Sequence, residues 1–359
     1  MTRQIPSSKI AQATEILRSA IAKGEWEEFL PSERVLSSQL QISRVTLRKA
    51  LDSLTHEGLI AAAERSKRRA ILAKKSGAES VSRVVFLTQK PAHESPAQVL
   101  SQYAQLCHYL SKVGLEVQLE SSDIFQYNQV SQDVLTRLVE SHDRAHWVLH
   151  QCPEFVQLWF FEQGISATVF GSAFPGINLP SVDVDFRSAG RHATGYLLAR
   201  GHRRLAMVRF RSTLAGDDLA YQGMVDALMS PSSILPRPSP VVMSHNYDVA
   251  RLTRELDRLF SLPDPPTGLV VVNFHHVLTM ISHLSSIGLS VPGDVSIISL
   301  SDDVVFESFS PRPVSYRLGD VLVKKLVRQV IDSVSGVTDH RQVLLISEQI
   351  PGGTVAKLS

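Results

Sequence analysis

The chain has 359 residues, 43% of them apolar and 20% charged, with a formal net charge of +2, which is the balance of a soluble globular protein. This length is too great for one ordinary core, so two or three folding units are expected. No run approaches the apolar length of a membrane helix, and the start, MTRQIPSSKIAQATEIL, lacks the layout of a signal peptide; export and membrane partners are therefore not expected, and a cytoplasmic location is. Cys107 and Cys152 have no CxxC spacing and read as reduced core thiols. The small net charge hides an asymmetry. Residues 1–77 carry 14 Lys+Arg against 8 Asp+Glu, and the remainder carries 23 against 27. A basic head on a mildly acidic body suits an anionic polymer, because each neutralised phosphate releases counterions.

In chain order, residues 9–22 place Ile10, Ala13, Ile16, Leu17, Ala20 and Ile21 at helical spacing, and Lys23-Gly24 ends the pattern. Pro31-Ser32-Glu33 reads as a second helix start, with Ser32 free to cap and Glu33 in the first turn, where negative charge suits the dipole. After Gln41-Ile42, Ser43 can cap a third helix that runs to about residue 57. Leu47, Ala50, Leu51 and Leu54 share one face of it and must pack inward. Val45, Arg48 and Lys49 project the other way, with Arg44 on the flank and Thr46 near the amino end. That face suits a major groove, where arginine can donate two bonds to guanine and Val45 can touch a thymine methyl. Apolar runs at 59–61 and 70–72 flank Glu64-Arg65-Ser66-Lys67-Arg68-Arg69 and predict a β-hairpin with a basic tip.

The segment LPSERVLSSQLQISRVTLRKALDSLTHEGLI, Leu30 to Ile60, closely resembles the GntR-family winged helix-turn-helix, worded LPSER.LA..L.VSR.TVR.AL..L..EGLI. The resemblance implies that Arg34, Ser43, Arg44, Thr46 and Arg48 approach double-stranded operator DNA. The family's wing carries glycines where this chain has Ser66-Lys67-Arg68-Arg69, so phosphate contact by Lys67 and Arg68 is expected instead. KKSGAES, residues 74–80, marks a linker.

From Arg83 short apolar strands alternate with helices: strand 84–87, helix 97–113, strand 115–119, helix 130–141, strand 146–150, helix 153–163, strand 167–170. A second half runs strand 181–185, helix 188–200, strand 205–210, helix 217–229, strand 241–244, helix 248–259, strand 269–272, helix 276–287, strand 295–300. Single helices between buried strands require crossovers, hence parallel sheets covered on both faces, with ligands at the strands' carboxyl ends. SVDVDFRSAGRHATGYLLARGHRRLAMV (Ser181 to Val208), GLSVPGDVSIISLSDD (Gly288 to Asp303) and SPRPVSYRL (Ser310 to Leu318) resemble the LacI/GalR effector domain. The last of these resembles the segment where the chain recrosses the lobes.

The implied fold is α/β: an N-terminal winged helix-turn-helix (1–75), a linker (76–82) and a two-lobed, periplasmic-binding-protein-like effector domain with parallel sheets (83–355), the joining seen in arabinose-type repressors. The implied pocket residues are Gln89, Asp185, Asn273, Phe274, Ser301 and Asp302. The family's hydroxyl-gripping arginine is replaced by Ala220, and the first aspartate of its GFDD by Ser301. An ordinary hexose is therefore disfavoured, since each unmet hydroxyl costs about 1–3 kcal/mol; the alternatives are a less polar ligand held through Gln89, Phe274 and their neighbours, or no ligand at all.

His275-His276 and Asp302-Asp303 have no third ligand at a metal spacing, and no nucleotide or nucleophile motif occurs, so no metal, cofactor or catalytic residue is expected. The leading reading is a non-enzymatic transcriptional regulator, a repressor and homodimer, with operator DNA and a small-molecule effector as partners. Two rivals are a GntR-headed enzyme of the pyridoxal-phosphate aminotransferase type and a solute-binding protein without DNA binding.

Overall fold

A computed structural model describes residues 9–22, 26, 29–56, 59–61, 69–70, 83–126, 132–210, 214–229, 241–245, 248–337 and 341–358. The chain divides into two compact units, one of residues 1–81 and 334–337, the other of 82–333 and 338–359.

The first unit holds helices α1 (Lys9–Ala22), α2 (Glu33–Gln39) and α3 (Arg44–His56). Both predicted caps form: Ser32 Oγ accepts from Val35 N at 3.4 Å and Ser43 Oγ from Thr46 N at 3.1 Å. Between α2 and α3 the chain reverses through Gln41 at φ 53°, and the Ser37 hydroxyl bonds Ile42 O at 2.6 Å to fix the turn. Leu47, Ala50, Leu51 and Leu54 pack with Ala13, Leu17, Leu36 and Ile60 in one core. After α3, Ala61 N donates to Ala70 O at 2.8 Å, as a hairpin base requires. A third segment joins it, because Phe29 bridges Ala70 antiparallel and Leu30 N donates to Arg69 O at 3.0 Å. The hairpin tip, including Lys67 and Arg68, lies outside the described residues.

The second unit contains two parallel sheets, as the strand–helix alternation predicts. The first sheet runs β11 (Gln342–Leu345), β5 (Ser181–Val184), β4 (Ala167–Phe170), β3 (His146–His150), β1 (Arg83–Thr88), β2 (Glu116–Ser121). Val85, Leu87, Trp147, Leu149 and Val169 bury one face of it against α5 (Gln132–Glu140) and α6 (Glu154–Glu162). α4 (Ala97–Ser111) buries Leu106 and Leu110. Buried His146 satisfies both ring nitrogens with Ser166 Oγ at 2.8 Å and Thr168 Oγ1 at 3.0 Å, and burial lowers its pKa to about 4, so it stays neutral.

The second sheet runs β7 (Val241–His245), β6 (Leu205–Phe210), β8 (Gly268–Val271), β9 (Ser296–Ser299). One face packs on α9 (Val249–Phe260) and α10 (Phe274–Ser286), the other on α7 (Phe186–Leu198) and α8 (Ala215–Leu228). Near-continuous apolar strands are what such double coverage demands.

The chain passes between lobes three times: at Val184–Phe186, after β10 (Ser315–Arg317) into α11 (Val321–Val334), and between β11 and β12 (Glu348–Ile350). Asp185 N donates to Leu345 O at 2.8 Å, tying the first passage to the third. β10, α11, β11 and β12 are not among the predicted elements. The carboxyl-terminal segment seals the edge of β9: the buried Thr354 hydroxyl donates to Ile297 O at 2.7 Å and accepts from Val314 N at 2.9 Å.

Candidate functional site

α3 is held from below by its leucines and presents a cationic face above. Leu47, Ala50, Leu51 and Leu54 are at most 1% exposed, whereas Val45 is 66% exposed and open to a contact such as a thymine methyl. Arg44, Arg48 and Lys49 are exposed beside it. Ser43 and Thr46 hydroxyls lie 2.8 Å apart, so these two expected DNA contacts form one polar knob at the amino end of α3. Arg34 is exposed on α2. Arg48 is not free: its Nε donates to Glu33 Oε2 at 2.9 Å. Arg69, expected at the wing tip, instead turns inward with an 11% exposed side chain and bonds Thr55 Oγ1 at 3.0 Å and Asp52 Oδ1 at 3.4 Å. Sequence reasoning gave Glu33 only a helix-dipole role, because a partner fifteen residues away leaves no local signal.

At the carboxyl ends of the strands, the six expected pocket residues have varied surroundings. Gln89 is exposed just past β1. Asp185 caps α7, accepting from Ser188 N at 2.9 Å and Ser188 Oγ at 2.7 Å. Asn273 caps α10 through His275 N at 3.1 Å. Phe274 is buried, its N–H donating to Ser301 Oγ at 2.9 Å, while that hydroxyl donates to Val272 O at 3.1 Å. Asn273, Phe274 and Ser301 thus come together where β8 and β9 end. Asp302 has other obligations: its 3% exposed carboxylate accepts from Arg312 Nη2 at 3.1 Å, Arg317 Nε at 2.6 Å and the Ser315 hydroxyl. Ala220 is fully buried, and the backbone there lies against Gly190 of α7.

Charged residues absent from the predicted set also stand at the carboxyl ends of β5 and β6. Arg209, at the end of β6, bonds Asp218 and lies 5.7 Å from the Tyr221 ring centroid. Asp183, in β5, accepts from Ser172 Oγ at 2.6 Å and Val184 N at 2.8 Å. Loss of hydration raises its pKa to about 6; the two hydrogen bonds pull it down and the charge of Asp217 adds to the rise. A carboxyl raised on folding contributes most below its unfolded pKa, and that contribution is lost as pH climbs through about 6. Asp183→Asn is therefore expected to stabilise the chain by up to about 2 kcal/mol at pH 8 and to make little difference at pH 4. Paired thermal melts across that pH range check it.

Among the described residues, no three His, Cys, Asp or Glu side chains cluster to hold a metal, and no helix is long and apolar enough to cross a membrane.

Residues 9–67 match the family "Bacterial regulatory proteins, gntR family", and residues 194–355 match "Periplasmic binding protein-like domain". The HTH-type transcriptional repressor CytR of Escherichia coli (strain K12) is 27% identical over 141 residues, covering 39% of this chain and 40% of that protein. The chain thus spans less than half the length of this curated relative. A LacI family transcriptional regulator from Mycobacterium smegmatis superposes with a TM-score of 0.65 at 20% identity, over 76% of this chain and 99% of that one. A LacI family transcriptional regulator from Enterococcus faecium with bound ribose gives 0.62 at 16% identity, over 77% of this chain and 100% of that one.

Proposed function

For a chain that joins a gntR-family helix-turn-helix domain to a periplasmic-binding-protein-like domain, we propose the function of a sequence-specific transcriptional repressor whose operator affinity a small molecule adjusts. The observation that carries this reading is α3: four apolar residues sealed in the core, and Arg44, Val45 and Arg48 exposed on the outside. An exposed valine flanked by arginines offers an apolar contact and forked donors on one helix face, the combination that base edges in a major groove take. Lys67 and Arg68 are assigned to phosphate. Two copies meet a two-fold operator, and the protein works as a cytoplasmic homodimer without catalysis.

The effector is assigned to the ends of β1, β8 and β9, with Gln89, Asn273, Phe274 and Ser301 nearest to it and Asp185 at the lobe passage. The Enterococcus neighbour holds ribose. Here Ala220 offers no forked donor, Phe274 is apolar and the Asp302 oxygens are already occupied, so a ligand less rich in hydroxyls than a hexose fits better. It acts only if it binds the DNA-competent and incompetent lobe arrangements unequally.

The test is selection from a random duplex library with the full chain, followed by a salt titration of the selected sequence. Affinity should fall steeply with salt, with a log–log slope of about −0.9 per phosphate contacted. Arg48→Ala should weaken binding to the selected duplex by about 1–3 kcal/mol and relax the preference at one base pair. Salt-insensitive or absent binding by the wild type removes the proposed function.

A further inference from the structure

Glu33 sits where three parts of the head converge. Its Oε2 takes the Nε–H of Arg48 on α3 at 2.9 Å, and its Oε1 lies 4.0 Å from Nη2 of Arg69 on the segment returning from the hairpin. Arg69 is itself bound to α3 through Thr55 and Asp52. The exposures are graded: 11% for the Arg69 side chain, 31% for Glu33 and 63% for Arg48. A partly buried carboxylate, backed by a nearly buried cation, therefore holds the root of an exposed one.

The chemistry of the guanidinium gives this arrangement a direction. Arginine carries five donors in a rigid planar fork. With Nε turned back to Glu33, the edge left outward carries Nη1 and Nη2, the paired donors that read O6 and N7 of guanine. An unheld arginine must lose its rotamer freedom on docking, and a held one has lost part of it already. The cost is a negative charge beside a polyanion, which lowers affinity for any sequence.

The geometry points to Glu33 as a positioning residue for base readout: it orients Arg48 toward a guanine edge and raises discrimination while lowering sequence-independent affinity. This rests on the DNA-binding function proposed above. A purely structural acid in the first turn of α2 would act differently, since losing it would weaken all binding together.

The experiment compares wild type, Glu33→Gln, Arg48→Ala and the double variant as full chains. Each is titrated with the duplex selected by the wild type, the same duplex with the Arg48-dependent guanine replaced by adenine, and an unrelated duplex. In Glu33→Gln the guanine-to-adenine affinity ratio should fall about tenfold, while affinity for the unrelated duplex rises a few-fold. In the Arg48→Ala background the same change should leave the ratio where it is. Glu33→Asp keeps the charge but draws the carboxylate back by one methylene; it should lose the ratio without the rise, and it covers the case in which Glu33→Gln melts early. An undiminished ratio in both Glu33 variants overturns the proposal, as does an equal loss in the Arg48→Ala background. Wild type that shows no salt-sensitive binding overturns both this role and the DNA-binding function, so the two failures are told apart by the wild-type titration alone.

Discussion

Asp302→Ala should cost the two-lobed unit about 2–4 kcal/mol, read as a lower denaturation midpoint of the full chain. The Asp302 carboxylate is 3% exposed and is the shared acceptor for Arg312, Arg317 and Ser315. Without it Arg312, ahead of β10, and Arg317, at its end, lose the carboxylate they share, just before the chain passes into α11. Arg317 retains Glu307 at 3.2 Å, and both arginines keep some water, at 23% and 42% exposure, so the loss falls short of a fully buried pair. Asp302→Asn keeps the shape and one acceptor oxygen and should lie between. If Asp302 were instead a ligand group with no structural duty, both variants would unfold with the wild type and differ only in effector binding. Urea titrations followed by circular dichroism separate the two cases.

Gly223→Val should do comparable or greater damage, about 3 kcal/mol or more, by forcing apart the most closely packed helix pair of the second lobe. A Cβ at Gly223 of α8 would stand 2.0 Å from Arg187 O and 2.8 Å from Arg191 N on α7. Gly190 of α7 is nearly as tight: a Cβ added there would fall 2.3 Å from Ala220 O. The obstacles are backbone atoms, so no rotamer change relieves the clash. Outside this seam Arg187 forks onto Asp226 at 2.7 and 3.2 Å, and that pair is too exposed to compensate. Gly223→Ser, with a smaller side chain but the same Cβ, should still destabilise, because the Cβ alone makes the clash. Thermal melting checks both, and wild-type midpoints would mean that α7 and α8 do not meet through these glycines.

Much of this architecture is legible in the sequence for a local reason. Strands such as Val84–Leu87 and helices such as 97–111 announce themselves because a strand buried on both faces must be apolar throughout, and a helix on a sheet must be apolar on one side. The three head helices are legible for the same reason, with Ser32 and Ser43 marking the starts of α2 and α3. What escapes is weakly apolar or paired at long range. β11, Gln342–Leu345, alternates exposed and half-buried residues at a sheet edge, so its composition carries little signal. The 29–30 segment joins the hairpin base through backbone bonds alone, which any side chain permits.

The chain's order of residues determined the elements, the caps and the cationic face of α3, because each depends on neighbours within a turn or two. Tertiary structure alone decided which polar groups are spent. It turned Asp302 into an acceptor for two arginines, gave Ser301 to the Phe274 amide, folded Arg69 inward and set Glu33 against Arg48. A carboxylate or hydroxyl carries the same letter whether its lone pairs face a ligand or a cation fifteen residues away. Only the packing that brings donor and acceptor within 3 Å distinguishes the two.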